Sequence, residues 1–283
     1  MGVGKKVLLV LVILIVLIAG LGYYFLYSDP VIKAFLTIES GSAQVDKGSG
    51  WEAAVDDMKL SKNDKIKVID GLSVVTLHES VIIELEAGTE VSIASLTKKK
   101  LELKQDSGST WNKFTRVTGV DGYEVETPTS VATMRGTEFG VDYFPETGDT
   151  VQIVGEGTVE MTSNGESITL NGLEKGSDAD GLDKVALTQE DRARIKVQAT
   201  KTLQRLKGLR KLLINNQNAV VKGLIKKYVG TEEELDKYLA DIDAGVIDDS
   251  EIVAKAPIHP PALDRFVKLN SEIKEQQQFI ASL

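Results

Sequence analysis

A chain of 283 residues with 42% hydrophobic and 27% charged residues has room for two modest domains and the balance of a globular protein. It has no cysteine, which excludes a disulfide framework, a thiol nucleophile, a cysteine-based zinc site and a lipid-modified lipoprotein cysteine. A net charge of −9 argues against a general nucleic-acid binder, whose affinity comes mainly from neutralising phosphates.

Residues Val7 to Tyr27 form a run of 21 residues without a charge, preceded by Lys5 and Lys6. About 20 apolar residues match a hydrocarbon core of roughly 30 Å, and the two lysines favour a cytoplasmic amino terminus. Tyr23, Tyr24 and Tyr27 then fall at the far interface, where amphipathic rings settle. A cleaved signal peptide is the rival reading, but its apolar stretch is shorter, about 7–15 residues, and ends in a small-x-small site. The expectation is a single-pass anchor at 7–27, a short cytoplasmic tail at 1–6 and an extracytoplasmic bulk.

From Phe35 to Leu170 short alternating runs follow one another: Phe35–Ile38, Lys65–Ile69, Val74–Leu77, Val81–Leu85, Val91–Ile93, Leu101–Leu103 and Val151–Val154. Gly-, Asn-, Asp- and Ser-containing turns separate them about every 8–12 residues, the pattern of an all-β sandwich or short solenoid. Trp51 and Trp111 are expected to anchor its core. Glu84 and Glu86, at period two on one strand face, read as a solvated face.

The stretch Thr127 to Tyr143, TPTSVATMRGTEFGVDY, reads as two short strands flanking a corner at Arg135-Gly136-Thr137. Pro128 ends the preceding strand because proline cannot donate to a ladder, and Gly136 permits the backbone of a bend. Arg135, a guanidinium among apolar neighbours, either caps backbone carbonyls at the corner or contacts an anion or partner.

Thr127-Pro128, Ala132, Arg135-Gly136-Thr137, Phe139 and Val141 resemble the signature of the FecR-domain family. The similarity continues in Leu60 to Ile66, in Gly71 to Leu77, in Trp111 and in Gly155 to Val159, covering about Phe35 to Leu170. Asn63 stands where the family usually has glycine, and His78-Glu79-Ser80 where Asp-Gly-Ser is usual. The resemblance implies a membrane-anchored protein with an extracytoplasmic β module at 34–171 acting in signal transduction, best known for signalling to sigma factors. The six residues expected on the cytoplasmic side are too few to bury a sizeable interface, so sigma-factor contact is not expected here.

Gly172 to Lys184 is turn-rich, and 172–187 reads as a linker. Asp178, Asp180 and Asp183 invite a calcium reading, but the first position of such a loop is Gly176, which brings no carboxylate, so the solvated linker is favoured.

After Thr188 the period changes to that of a helix. Thr188 to Asp191 reads as a capped start, and apolar residues recur at Ile195, Ala199, Leu203, Leu206, Leu209 and Leu213, and on to Leu224. The helix is expected to reach about Val229 unless broken near Asn215 to Asn218 or at Gly223. A second start lies at Thr231-Glu-Glu-Glu234, and a third helix is expected from Pro261 or Ala262 to Ile280, with Leu263, Phe266, Val267, Ile273 and Ile280 on one face. The region 188–283 then forms a helical hairpin or small bundle.

Between Arg192 and Lys227 there are eleven Lys or Arg and no acidic residue, whereas Glu232 to Glu251 holds nine acidic residues against Lys237. The favoured expectation is that acidic surfaces of the chain itself lie along the basic helix and neutralise it. The alternative is a partner-binding basic face at Arg205, Lys207, Arg210 and Lys211.

His78 and His259, the two histidines, are 181 residues apart, and no nucleophile elbow, phosphate loop, zinc spacing or dinucleotide fingerprint occurs. No enzymatic activity, metal or cofactor is expected. Two functions remain open: a non-catalytic extracytoplasmic module that senses a signal or binds a protein partner in the membrane or envelope, or an envelope scaffold that assembles through its long helix.

Overall fold

The computed structural model describes residues 34–97, 99–115, 117–134, 136–217, 222, 230–248 and 261–283. The expected membrane anchor at 7–27 and Arg135 lie outside the described residues. Among those residues no helix is long and apolar enough to cross a membrane. The described residues of Val31–Lys207 and Glu272–Leu283 form one compact unit, and those of Gly208–Ser271 form a second.

The first unit is built on one fifteen-stranded sheet, antiparallel at all but one pairing of its named strands. Its first strands are β1 (Ala34–Asp46), β2 (Trp51–Ala53), β3 (Met58–Lys59), β4 (Lys65–Leu77), β5 (Val81–Glu86) and β6 (Glu90–Leu96). The middle ones are β7 (Leu101–Phe114), β8 (Tyr123–Glu126), β9 (Ser130–Met134), β10 (Glu138–Phe144) and β11 (Asp149–Glu156). Four short strands close it: β12 (Thr158–Ser163), β13 (Glu166–Asn171), β14 (Glu174–Ser177) and β15 (Asp183–Val185).

Two long strands organise this sheet. β4 pairs with β6 through Lys65–Lys67 and with β5 through Leu72–Leu77. β7 pairs with β6 and, in parallel, with β8 through its first half, and with β5 and β10 through its second. The strand bends where it changes partners. At Gly108 the backbone has φ +84, and a Cβ there would lie 2.6 Å from Thr89, a position that only glycine fills without displacement. The runs expected as Lys65–Ile69 and Val74–Leu77 are therefore one strand, because a bent strand carries two stretches of alternation separated by a polar bend at Asp70 and Gly71.

Alternate residues from these strands enclose one apolar core, in which Ile83, Leu85, Leu103, Phe114, Tyr123, Phe139 and Val154 are all buried. Phe114, Tyr123 and Phe139 follow one another with ring centroids 6.2 and 6.3 Å apart, the range in which tilted aromatic pairs attract. Of the two tryptophans only Trp111 is buried. Trp51 is 39% exposed on the three-residue edge strand β2, its ring beneath the Lys67 ammonium at 5.9 Å. Its expected core role is corrected: β2 is too short to bring a large ring over the core.

The stretch 172–187 carries β14 and β15, which extend the sheet beyond β11. Turn-forming residues fill the connections there, and strands of four and three residues are too short to show alternation. Asn63 adopts φ 73 as its side chain allows, and His78 and Glu79 adopt φ 48 and 53 in the tight turn between β4 and β5.

Helix α1 (Gln189–Asn215) starts at a reciprocal cap: the Asp191 amide donates to Thr188 Oγ1, and the Thr188 amide donates to the Asp191 carboxylate. It ends at the first of the expected breaks, Asn215. Helix α2 (Glu232–Asp243) begins at the Thr231–Glu234 capping box, and helix α3 runs Pro261–Ser282. The buried face of α3 differs from the expected one: Ala262, Arg265, Leu269, Asn270, Ile273 and Gln276 are buried, while Leu263, Phe266, Val267 and Ile280 are only partly so. Three of those six are polar, so an apolar stripe was the wrong guide. In the second unit Arg210 donates to both Asp243 oxygens, at 2.7 and 3.0 Å, and to Asn270 Oδ1.

Candidate functional site

In the first unit, strands β5 and β10, most of β11 and the second half of β7 are buried on both faces. Their inward residues line the apolar core, and their outward residues meet residues 189–207 of α1 and 272–282 of α3. Register aligns the outward residues in rows. Glu84 stands opposite Trp111, Trp111 opposite Gly140, and Gly140 opposite Ile153; in the next row Ile82, Lys113 and Glu138 lie side by side. Gly140 sets the depth of the first row, since a Cβ there would meet the Trp111 ring at 2.8 Å.

This outward face is unusually polar for a buried one. Trp111, Ile153 and Ile195 form a small apolar cluster, with Val151, Leu187, Phe279 and Leu283 at its border. Around it, Glu84 is 1% and Glu138 is 0% exposed. Glu138 accepts hydrogen bonds from Trp111 Nε1 at 2.8 Å, Thr202 Oγ1 at 2.9 Å and Gln276 Nε2 at 2.6 Å. One buried carboxylate thus ties the sheet to both helices, since buried charges persist only when fully bonded.

Glu84 accepts from Gln198 Nε2 at 2.7 Å and Lys201 Nζ at 2.9 Å, and pairs with Arg205. Burial pushes its pKa up, but Arg205, Gln198 and Lys201 outweigh that and hold it below its ordinary value. Arg205 also grips Glu39 with two hydrogen bonds, at 2.9 and 3.0 Å. Arg194 makes a two-pronged pair with Asp142, at 2.6 and 2.9 Å, and its guanidinium lies 5.7 Å from the Trp111 ring centroid. Lys113, 4% exposed, bonds Glu156 at 3.1 Å; burial lowers its pKa, and Glu138, Glu156 and Glu272 more than restore it.

Glu86 behaves in the opposite way. Burial raises its pKa further than Arg194, at 3.6 Å, lowers it. Its contribution to stability is therefore present below its unfolded value of 4.5 and lost as the pH rises through its folded value. Glu86→Gln is expected to raise the melting temperature at pH 7 and to leave it unchanged near pH 4. Thermal melts at the two pH values check this; a loss of stability at pH 7 would show that the Arg194 contact dominates.

The expected solvated face at Glu84 and Glu86 is thus corrected at Glu84, which is paired and covered, while the Glu86 side chain stays 41% exposed beside Arg194. Charge complementarity was the available signal, since the helix that faces these carboxylates has eight basic residues and no acidic one between 192 and 215. Glu138 carried no comparable signal, because a lone glutamate beside a signature phenylalanine resembles any strand-end polar residue.

The other expected site residues fall elsewhere. Thr127 Oγ1 accepts from the Ser130 amide and shares a hydrogen bond with Thr150 Oγ1 at 2.8 Å, so it closes the β8–β9 turn in which Pro128 is exposed. Gly136 has φ +64, and its carbonyl lies 2.6 Å from where a Cβ on Gly157 would stand. Thr137 donates to the Thr158 carbonyl at 3.0 Å, and Phe139 is fully buried. Four of the family-signature positions therefore hold the corner and the turn that β9 and β10 need. Arg205 and the half-buried Lys207 belong to the sheet unit; Arg210 and the exposed Lys211–Asp236 pair belong to the helical unit. Asp178 accepts from the Thr150 amide and Asp183 from that of Lys184, whereas Asp180 is exposed. Among the described residues no group of three or more candidate ligands could hold a metal ion.

Residues 64–160, a stretch that runs from the start of β4 into β12, match the family model described as FecR protein. No curated protein matches the chain. Two crystal structures of a provisionally assigned anti-sigma factor from Parabacteroides distasonis ATCC 8503 resemble it, at 21% and 20% identity and TM-scores of 0.41 and 0.40. The alignments cover 48% of this chain and 62% and 63% of those chains.

Proposed function

We propose that the protein is a non-catalytic, membrane-anchored regulator whose FecR domain works outside the membrane, sensing a signal or binding a protein partner at the cell envelope. The observation that carries this reading is the FecR domain at 64–160. It is supported by the apolar run of 21 residues at 7–27 behind two lysines, long enough to span a bilayer and oriented by them. In the second reading the protein is an envelope scaffold; the uninterrupted 27 residues of α1 favour it, since a long helix is a common assembly element.

Topology is the test. Protease added to intact or wall-stripped cells is expected to digest the mass after Tyr27, and detergent is expected to be needed to release the protein. Protection of that mass would refute the orientation, and release without detergent would show that the segment is cleaved.

A further inference from the structure

The outward face of β5, β7 and β10 is acidic, and the chain's own basic helix covers it. Glu84 and Glu86 of β5 and Glu138 and Asp142 of β10 lie on it, with Glu39 of β1 and Glu156 of β11 beside them; Lys113 pairs with Glu156, and the cover brings Arg194, Lys201 and Arg205 from α1 and Glu272 from α3. The cover's cations sit at spacings of seven and four residues, one face of a helix, with Gln198 and Thr202 between them. Its apolar seal is limited to the Trp111–Ile153–Ile195 cluster. The fit is also incomplete: the buried Oε1 atoms of Gln198 and Gln276 accept no hydrogen bond among the described residues.

We propose that this sheet face is a docking surface for a basic amphipathic helix of a partner protein, and that residues 189–207 occupy it in cis. The buried carboxylates need cations, whichever chain supplies them. Exchanging one basic helix for another conserves the ion pairs and the small apolar contact, so occupancy follows partner concentration and salt. A helix presenting Arg or Lys at i, i+7 and i+11 around a short apolar stripe meets the same demands as α1. The inference rests on reading the protein as a partner-binding regulator.

The test uses the full chain in detergent micelles and a fluorescein-labelled peptide of residues 188–207. The unmodified protein is expected to bind the peptide weakly. The double variant Lys201→Glu/Arg205→Glu, whose own cover is loosened, is expected to bind it roughly tenfold more tightly. Adding Glu84→Lys to that variant should abolish the gain. Equal binding by the unmodified and double-variant proteins, or equal binding of a scrambled peptide, would overturn the proposal. If the double variant does not fold, hydrogen exchange of the unmodified protein decides. Amides of 189–207 should exchange faster as NaCl rises to about 0.5 M while those of β7 and β10 stay slow; exchange of both in concert at every salt concentration would overturn it. Neither measurement involves a membrane or a signalling readout, so failure here leaves the topology result standing, and the reverse also holds.

Discussion

Replacing Glu84 with alanine is expected to destabilise the protein by about 1–3 kcal/mol, the cost of leaving the buried Gln198 amide without its acceptor and of loosening Lys201 and Arg205. Three donors converge on this carboxylate, and its 1% exposure leaves water little opportunity to replace it. The pH dependence identifies the charge as the cause. The folded pKa of Glu84 is lowered, so its contribution is present above the unfolded value of 4.5 and lost as the pH falls through the folded value. The difference between wild type and Glu84→Ala should therefore shrink as the pH drops below 4.5. Denaturant titrations at pH 7 and in steps below 4.5 measure this; a difference independent of pH would assign the effect to packing alone.

Trp111→Ala is expected to cost about 3–5 kcal/mol, the range for a large aromatic removed from a packed interior. The ring is 2% exposed, fills the space left by Gly140, stands beside Arg194 and donates to Glu138. Trp111→Phe should cost less but more than a volume-conserving swap, because it keeps much of the area and leaves a Glu138 oxygen with one donor fewer. Chemical denaturation of the two variants separates the contributions. Equal losses would mean that the hydrogen bond to Glu138 dominates, and a Phe variant as stable as wild type would mean that it contributes nothing.

Much of the architecture was legible in the sequence because each signal was local. The Thr188–Asp191 and Thr231–Glu234 caps both form, and α3 starts at Pro261, where a missing amide donor costs least. Thr137 and Phe139 sit buried at the corner that their motif marked. What escaped was non-local. Glu84 and Gln198 are 114 residues apart, and Glu138 and Gln276 are 138 apart, so no window of sequence holds both partners. Polar residues on the covered faces also broke the rule that burial is apolar. Arg265, Asn270 and Gln276 on α3 are buried although the expected face of that helix named apolar residues alone, and Glu84 on β5 is buried although it read as solvated. Trp51 failed in the other direction, since residue type alone does not reveal that a strand is three residues long and at an edge.

Ion pairing to the sheet face, rather than apolar contact alone, holds residues 189–207 in place. A double-mutant cycle with Glu84→Gln and Arg205→Met, read by denaturant unfolding at pH 7, tests it most directly. A coupling energy above about 1 kcal/mol, beyond what an exposed pair supplies, is the predicted result. Additivity within roughly 0.3–0.5 kcal/mol would contradict it.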